Sequence, residues 1–142
     1  LRKISSRNKI ELIAKAALAK KAKDVVLLDM RKLPSLCDYF IIASGDSTTQ
    51  IAAIAGNIEK EISKRGCAPL HIEGRGEALW ILLDCGDVVA HIFHKDTRGF
   101  YNLEKLWHDA PLRRIDDSSF RRRPRRTRKK RGPKRRGKRR KK

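Results

Sequence analysis

Four groups of residues in this chain of 142 have side chains of the types that chemistry requires. Ser44, Gly45, Asp46 and Ser47 separate an apolar run from a helical one, and the free amides at a helix N-terminus attract anions. Neither Gly-Lys-Ser/Thr nor G-x-G-x-x-G follows, so the segment is no nucleotide loop; a tight turn and a helix cap explain the same residues. A magnesium site for nucleotidyl transfer needs carboxylates at alternate positions of a strand. No Asp-x-Asp occurs, and Asp84 and Asp87 instead flank a turn. His91 and His94 are three apart in an apolar run that reads as a strand, so their side chains point to opposite faces and do not share a metal. Cys37, Cys67 and Cys85 form no CxxC pair and read as reduced structural thiols. No catalytic residue, metal site or cofactor site is assembled, and a domain this small without one reads as a binding module.

The elements that position these residues follow from periodicity. Ile10, Ile13, Ala14, Ala17 and Leu18 repeat with helical spacing and predict a helix over residues 8–23. Asp24 to Asp29 and Tyr39 to Ala43 are short apolar runs that predict buried strands, separated by Pro34. Ser47 and Gln50 have the Ser-x-x-Gln form of a capping box, and Ile51, Ile54, Ala55, Ile58 and Ile62 continue the helix up to Gly66. Leu70 to Glu73, Ala78 to Asp84 and Asp87 to His94 predict three more strands, the last two joined as a hairpin through Cys85 and Gly86. A last helix is expected from Asn102 to His108, ending before Pro111. The order α-β-β-α-β-β-β-α gives one α/β domain with a five-stranded mixed sheet and flanking helices.

Candidates for recognition remain once chemistry is set aside. Trp80 alternates with Ile81, so one of the two faces away from the helix-covered side of the sheet. Arg98, Phe100, Tyr101, Leu103, Glu104 and Trp107 form a second, denser group, and aromatics and arginines dominate interface energetics. Leu103, Leu106 and Trp107 are expected to dock the last helix on the sheet, which leaves Trp80 and Tyr101 as the aromatics for a partner.

Charge divides the chain sharply. Residues 113–142 contain nineteen Lys or Arg against Asp116 and Asp117, whereas residues 1–112 contain seventeen basic and fourteen acidic side chains. The expected organisation is a folded body, 1–112, and a cationic tail, 113–142, too poor in apolar residues to offset the entropy of ordering. Such a run reads as an arm that holds RNA phosphates, through Arg121, Arg122, Arg123, Arg125, Arg126, Arg128, Lys129, Lys130 and Arg131. No apolar run of membrane-spanning length is present. The basic residues before Ile10 lead into no signal-like apolar stretch, so a bacterial cytoplasmic location is expected, with an organelle as the alternative.

Five segments carry a family resemblance. They are Asp38 to Gly45, Glu73 with Gly74, Trp80 to Asp84, Gly86 to Phe93, and Arg98 to Trp107. In order and spacing they resemble the ribosomal silencing factor family (RsfS, also called Iojap), from about Ile10 to Leu112, with the basic tail outside the likeness. The resemblance implies a fold related to nucleotidyltransferases without their active site, and no enzymatic activity. It implies binding to large ribosomal subunit protein 14, a steric block on joining of the small subunit, and repression of translation. Trp80, Asp84, His91, Arg98, Tyr101 and Glu104 are the residues it offers for that contact. A role in large-subunit assembly or in general RNA binding through the tail is the alternative, and the free protein could pair with a second copy.

Overall fold

The computed structural model describes residues 4–120. The first helix, α1 (Ser6–Ala19), starts where the Ser5 side chain accepts from the Asn8 N–H, and buries Ile10, Ile13, Ala14, Ala16 and Ala17. Strand β1 (Lys23–Asp29) follows, and then β2 (Tyr39–Gly45). Helix α2 (Thr48–Lys64) begins at Ser47, whose side chain accepts from the Gln50 N–H. The return half of the capping box differs from expectation. Gln50 Oε1 accepts from the Asp46 N–H at 2.7 Å, and its amide nitrogen donates to the Lys20 and Lys21 carbonyls at 3.1 and 3.0 Å. One glutamine thus satisfies the entry to α2 and two orphan carbonyls at the exit of α1. Ile51, Ile54, Ile58 and Ile62 are all fully buried along α2, which contributes roughly 2 kcal/mol each from apolar area removed from water.

Strands β3 (His71–Glu73), β4 (Trp80–Asp84) and β5 (Val88–His94) complete the expected set. The β4–β5 pair is antiparallel, as the short connection required. Cys85 N–H donates to the Val88 carbonyl at 2.9 Å, so Gly86 and Asp87, one residue later than expected, span the turn, with Gly86 at φ +91°. Two short helices come next, α3 (Lys95–Tyr101) and α4 (Leu103–Leu106), where one helix from Asn102 to His108 was expected. Asn102 divides them in a left-handed conformation, φ 44°, its N–H donating to the Arg98 carbonyl and its side chain accepting from the Lys105 N–H. The α3 run has no apolar periodicity and buries no residue, so hydrophobic pattern gave no sign of it.

The sheet has six strands, not five, in the order β3-β4-β5-β2-β1-β6. The sixth, β6 (Leu112–Ile115), pairs antiparallel with β1, from Val25 opposite Ile115 to Leu28 opposite Leu112. Charge alone assigned Arg113 and Arg114 to the tail, but an edge strand tolerates outward cations while its backbone pairs inward. Ile115 is buried, and a 3₁₀ turn (Asp117–Phe120) brings Phe120 back onto the main core. The folded body therefore continues beyond residue 112. Arg121 and the residues after it lie outside the described residues, including all nine arginines and lysines expected to touch RNA.

Among the described strands only β2 and β5 pair parallel, with Tyr39 opposite Val88 and Gly45 opposite His94. Helices α1 and α2 cover one face of the sheet over Val25, Ile41, Ala43, Ile81, Leu83, Ala90 and Ile92. The opposite face carries Val26, Leu28, Ile42 and Phe93, with Phe40, Trp80 and Val89 packed beside them, under Met30, Leu103, Ala110 and Trp107. No helix among the described residues is long and apolar enough to cross a membrane.

Candidate functional site

The second face concentrates the aromatic residues. Ile81 is buried on the α1/α2 side, so the alternation of β4 turns Trp80 to this one. Its ring stacks on Phe93 at 4.8 Å between centroids and meets Tyr101 of α3 at the same distance. Phe100 stands perpendicular to Tyr101 at 5.0 Å. Burial falls off outward through the group: Phe93 is fully enclosed, Trp80 half-buried, Tyr101 49% exposed and Phe100 81% exposed. A ladder of aromatic rings thus runs from the core to solvent.

His91 lies beneath this ladder and is 4% exposed. Its Nδ1 accepts from the Trp80 indole N–H at 3.1 Å, and Phe40 packs edge-on at 4.5 Å. Burial pushes its pKa down to about 4. A neutral imidazole with an accepting Nδ1 carries its proton on Nε2, and Nε2 has no hydrogen-bond partner among the described residues. His94 instead caps α3, its Nδ1 accepting from the Asp96 N–H at 3.2 Å.

Arg98 holds α3 and α4 against the sheet. Its Nη1 donates to Ser44 Oγ at the end of β2 and to the Asp24 carbonyl in β1, both at 2.7 Å. Its Nε and Nη2 donate to Glu104 Oε2 at 3.0 and 2.6 Å. The two side chains are 12% and 25% exposed, so the pair is largely removed from water. Its strength comes from charge-assisted hydrogen bonds that satisfy both groups in place. Arg98 is thus a strut: it fixes the angle at which α3 presents Phe100 and Tyr101.

Of the six residues offered by sequence, Trp80 and Tyr101 meet at the surface. His91 is buried under them, and Arg98 and Glu104 satisfy each other. Asp84 lies apart, its Oδ1 accepting from the Gly86 N–H at 2.9 Å in the hairpin turn. Phe100 was noted in the sequence but not chosen; its exposure next to Tyr101 is what marks it. Leu106, expected to dock α4 inward, is 66% exposed, whereas Leu103 and Trp107 do pack inward. In a helix of only four residues one side must face water, and Leu106 is on it. Cys37 and Cys85 are buried free thiols, and burial raises the Cys85 pKa to about 12, which makes it a poor nucleophile. Among the described residues no group of three or more His, Cys, Asp or Glu side chains is placed to hold a metal ion.

The comparisons with known proteins agree in one direction. The family model described as "Ribosomal silencing factor during starvation" matches residues 3–142. A curated Ribosomal silencing factor RsfS from Bacillus subtilis is 43% identical over 113 residues, covering 80% of this chain and 96% of the relative. A mouse protein named "Mitochondrial assembly of ribosomal large subunit protein 1" is 30% identical over 117 residues, covering 80% of this chain and 50% of the relative. A crystal structure of a protein from Chromobacterium violaceum superposes with a TM-score of 0.72 at 33% identity, covering 74% of this chain and 88% of that one. A match along nearly the whole chain, joined to likeness in sequence and in fold, places it: this chain belongs to the ribosomal silencing factor family (RsfS/Iojap), whose members are non-catalytic regulators that bind ribosomes and repress translation.

Proposed function

We propose that the aromatic face formed by Trp80, Tyr101 and Phe100 docks on large ribosomal subunit protein 14 and that the bound chain occupies space the small subunit needs. The observation that carries this reading is the ladder itself: exposed aromatics backed by a buried stack and set in place by the Arg98–Glu104 strut. Rigid aromatic anchors lose little entropy on binding and supply most of the energy of a protein interface. A ligand of the free large subunit that overlaps the small one opposes their association by mass action, with no chemical step. In this reading Arg98, Glu104 and His91 act by positioning, and Asp84 by shaping the hairpin, rather than by touching the partner. The cationic segment from Arg121 onward adds contacts to ribosomal RNA phosphates. In the absence of ribosomes the same face is open to a second copy of the chain.

The test is subunit joining. Purified large and small subunits are mixed with the chain and sedimented on a sucrose gradient. The reading expects accumulation of free subunits with the native chain and recovery of joined ribosomes with Tyr101→Ala. Equal blocking by both would place the contact elsewhere.

A further inference from the structure

Helix α3 brings a carboxylate alongside the outermost ring of the aromatic ladder. Asp96 and Phe100 are four residues apart, a spacing that puts two side chains on the same side of a helix. Phe100 is 81% exposed, and its one ring neighbour among the described residues is Tyr101, perpendicular to it at 5.0 Å. A face of the Phe100 ring is therefore open to solvent. The Asp96 side chain is 85% exposed and has no Lys or Arg partner among the described residues. Its nearest basic atom is His94 Nδ1 at 3.9 Å, but that nitrogen accepts from the Asp96 N–H and so carries no proton of its own.

The chain's own cations do not fill this corner. Arg98, on the same helix, directs its donors at Glu104, Ser44 and the Asp24 carbonyl. The cation–π contacts among the described residues lie elsewhere, with Lys15 over Phe120 and Arg31 over Tyr39. An unmatched carboxylate and the negative face of an open ring thus stand side by side, and both attract positive charge.

We infer that Asp96, Phe100 and Tyr101 form a receptor for one arginine side chain of the docking partner. A guanidinium is planar and weakly hydrated, so it lies flat on a ring while its edge donates to a carboxylate. Tyr101, backed by Trp80 at 4.8 Å, supplies the second wall at a right angle to the first. The inference rests on the reading of this face as the docking site and adds the chemistry it recognises: the partner surface is basic where it meets α3. A surface without a cation there would desolvate Asp96 and give nothing back, which makes the corner a specificity element.

The test uses the full chain and purified large ribosomal subunits, with affinity read by co-sedimentation. Phe100 is replaced in turn by mono-, di- and trifluorinated phenylalanine. These keep the shape of the ring, raise its hydrophobicity and withdraw electron density from its face. A cation on the ring predicts stepwise weaker binding along the series, reaching roughly tenfold for the trifluorinated ring. Phe100→Leu, apolar but without a π-face, should bind about as weakly. Asp96→Asn, which keeps the backbone N–H that His94 accepts from, should weaken binding roughly threefold and lessen its salt dependence. Helix α3 buries no residue, so these variants should keep the native thermal transition. Unchanged or tighter binding along the fluorinated series overturns the arginine site, because a purely apolar anchor is not weakened by fluorine; unchanged binding of Asp96→Asn overturns it too. In either case a loss of binding in Phe100→Ala and Tyr101→Ala leaves the docking reading standing. If neither alanine variant changes binding, the docking reading falls and the arginine site with it.

Discussion

The indole N–H of Trp80 donates to Nδ1 of His91 across 3.1 Å, and this one bond joins the proposed docking face to the charge state of the core. Protonation of His91 puts a hydrogen on Nδ1, which removes the acceptor and places a charge among Phe40, Phe93 and Trp80. The aromatic ladder therefore stands on a neutral histidine.

Stability should follow that charge state. The folded pKa of about 4 lies below the ordinary value of 6.5, so folding favours the neutral form. His91 then contributes its full share above pH 6.5, and the share is lost as pH falls towards 4. The total is about 3 kcal/mol. Urea unfolding of the native chain should show this loss across that window, and His91→Gln, less stable at pH 7, should show a flatter profile. Titration of His91 near its ordinary value by NMR would rule the coupling out. Asp29, held near 2 by hydrogen bonds from Arg31, titrates mostly below the window.

The two docking aromatics should separate under mutation. Tyr101→Ala removes a half-exposed ring and should weaken binding to the large subunit about thirtyfold, some 2 kcal/mol, with an unchanged thermal transition. Trp80→Ala should weaken binding too, but it also strands the buried Nδ1 of His91 and should lower stability by about 2 kcal/mol. Calorimetry alongside a binding titration distinguishes them. A Tyr101→Ala chain that melts early would show that the ring is part of the core.

Arg98 and Glu104 should behave as one unit. Arg98→Ala leaves a largely buried carboxylate without its partner and should cost about 3 kcal/mol. The pair Arg98→Met with Glu104→Leu should cost clearly less, because no unpaired charge remains. The double-mutant cycle should give a coupling of at least about 1 kcal/mol. Additive losses would show that the two side chains do not support each other.

These positions also show where the sequence was legible. The isoleucine spacing of α2 and the Ser47 cap were readable because local periodicity and capping act within a few residues. Strands β4 and β5 were readable for the same reason, and their hairpin was off by only one residue. Strand β6 was hidden, because four residues rich in arginine have no pattern of their own and are held by pairing with β1, 84 residues earlier in the register of Leu28 with Leu112. Helix α3 was hidden likewise: its place depends on Arg98 reaching Ser44 and Asp24 across the fold. The aromatic candidates were visible as residue types, but which of them face solvent is a tertiary fact.

Gly74 should be irreplaceable. It has a φ of +88°, and a Cβ there would stand 2.0 Å from the Trp80 carbonyl oxygen. Since the obstacle is backbone, Gly74→Ala must displace β4 or its own turn, at a cost of about 2 kcal/mol or more. Melting temperature should drop, and the fluorescence of the tryptophans should shift as Trp80 moves. An unchanged spectrum and transition would mean that the turn yields without disturbing the strand.

The cationic segment should be separable from the body if the cut respects β6. Truncation after Leu112 removes most of the strand that pairs with β1 and also Phe120 from the core, so that chain should lose stability. Truncation after Phe120 should leave the fold and the block on subunit joining intact. If about eight of the seventeen cations beyond it meet phosphates, counterion release gives a log-log salt slope of about −6 to −7. A fourfold rise in salt would then lower that contribution by about four orders of magnitude, while the more apolar contact of the aromatic face changes far less. Full-length chain should therefore bind ribosomes more tightly than the truncated chain at low salt, and the two should converge as salt rises. Parallel salt curves would show that the segment does not bind phosphates, and an acidic protein surface would become its expected partner.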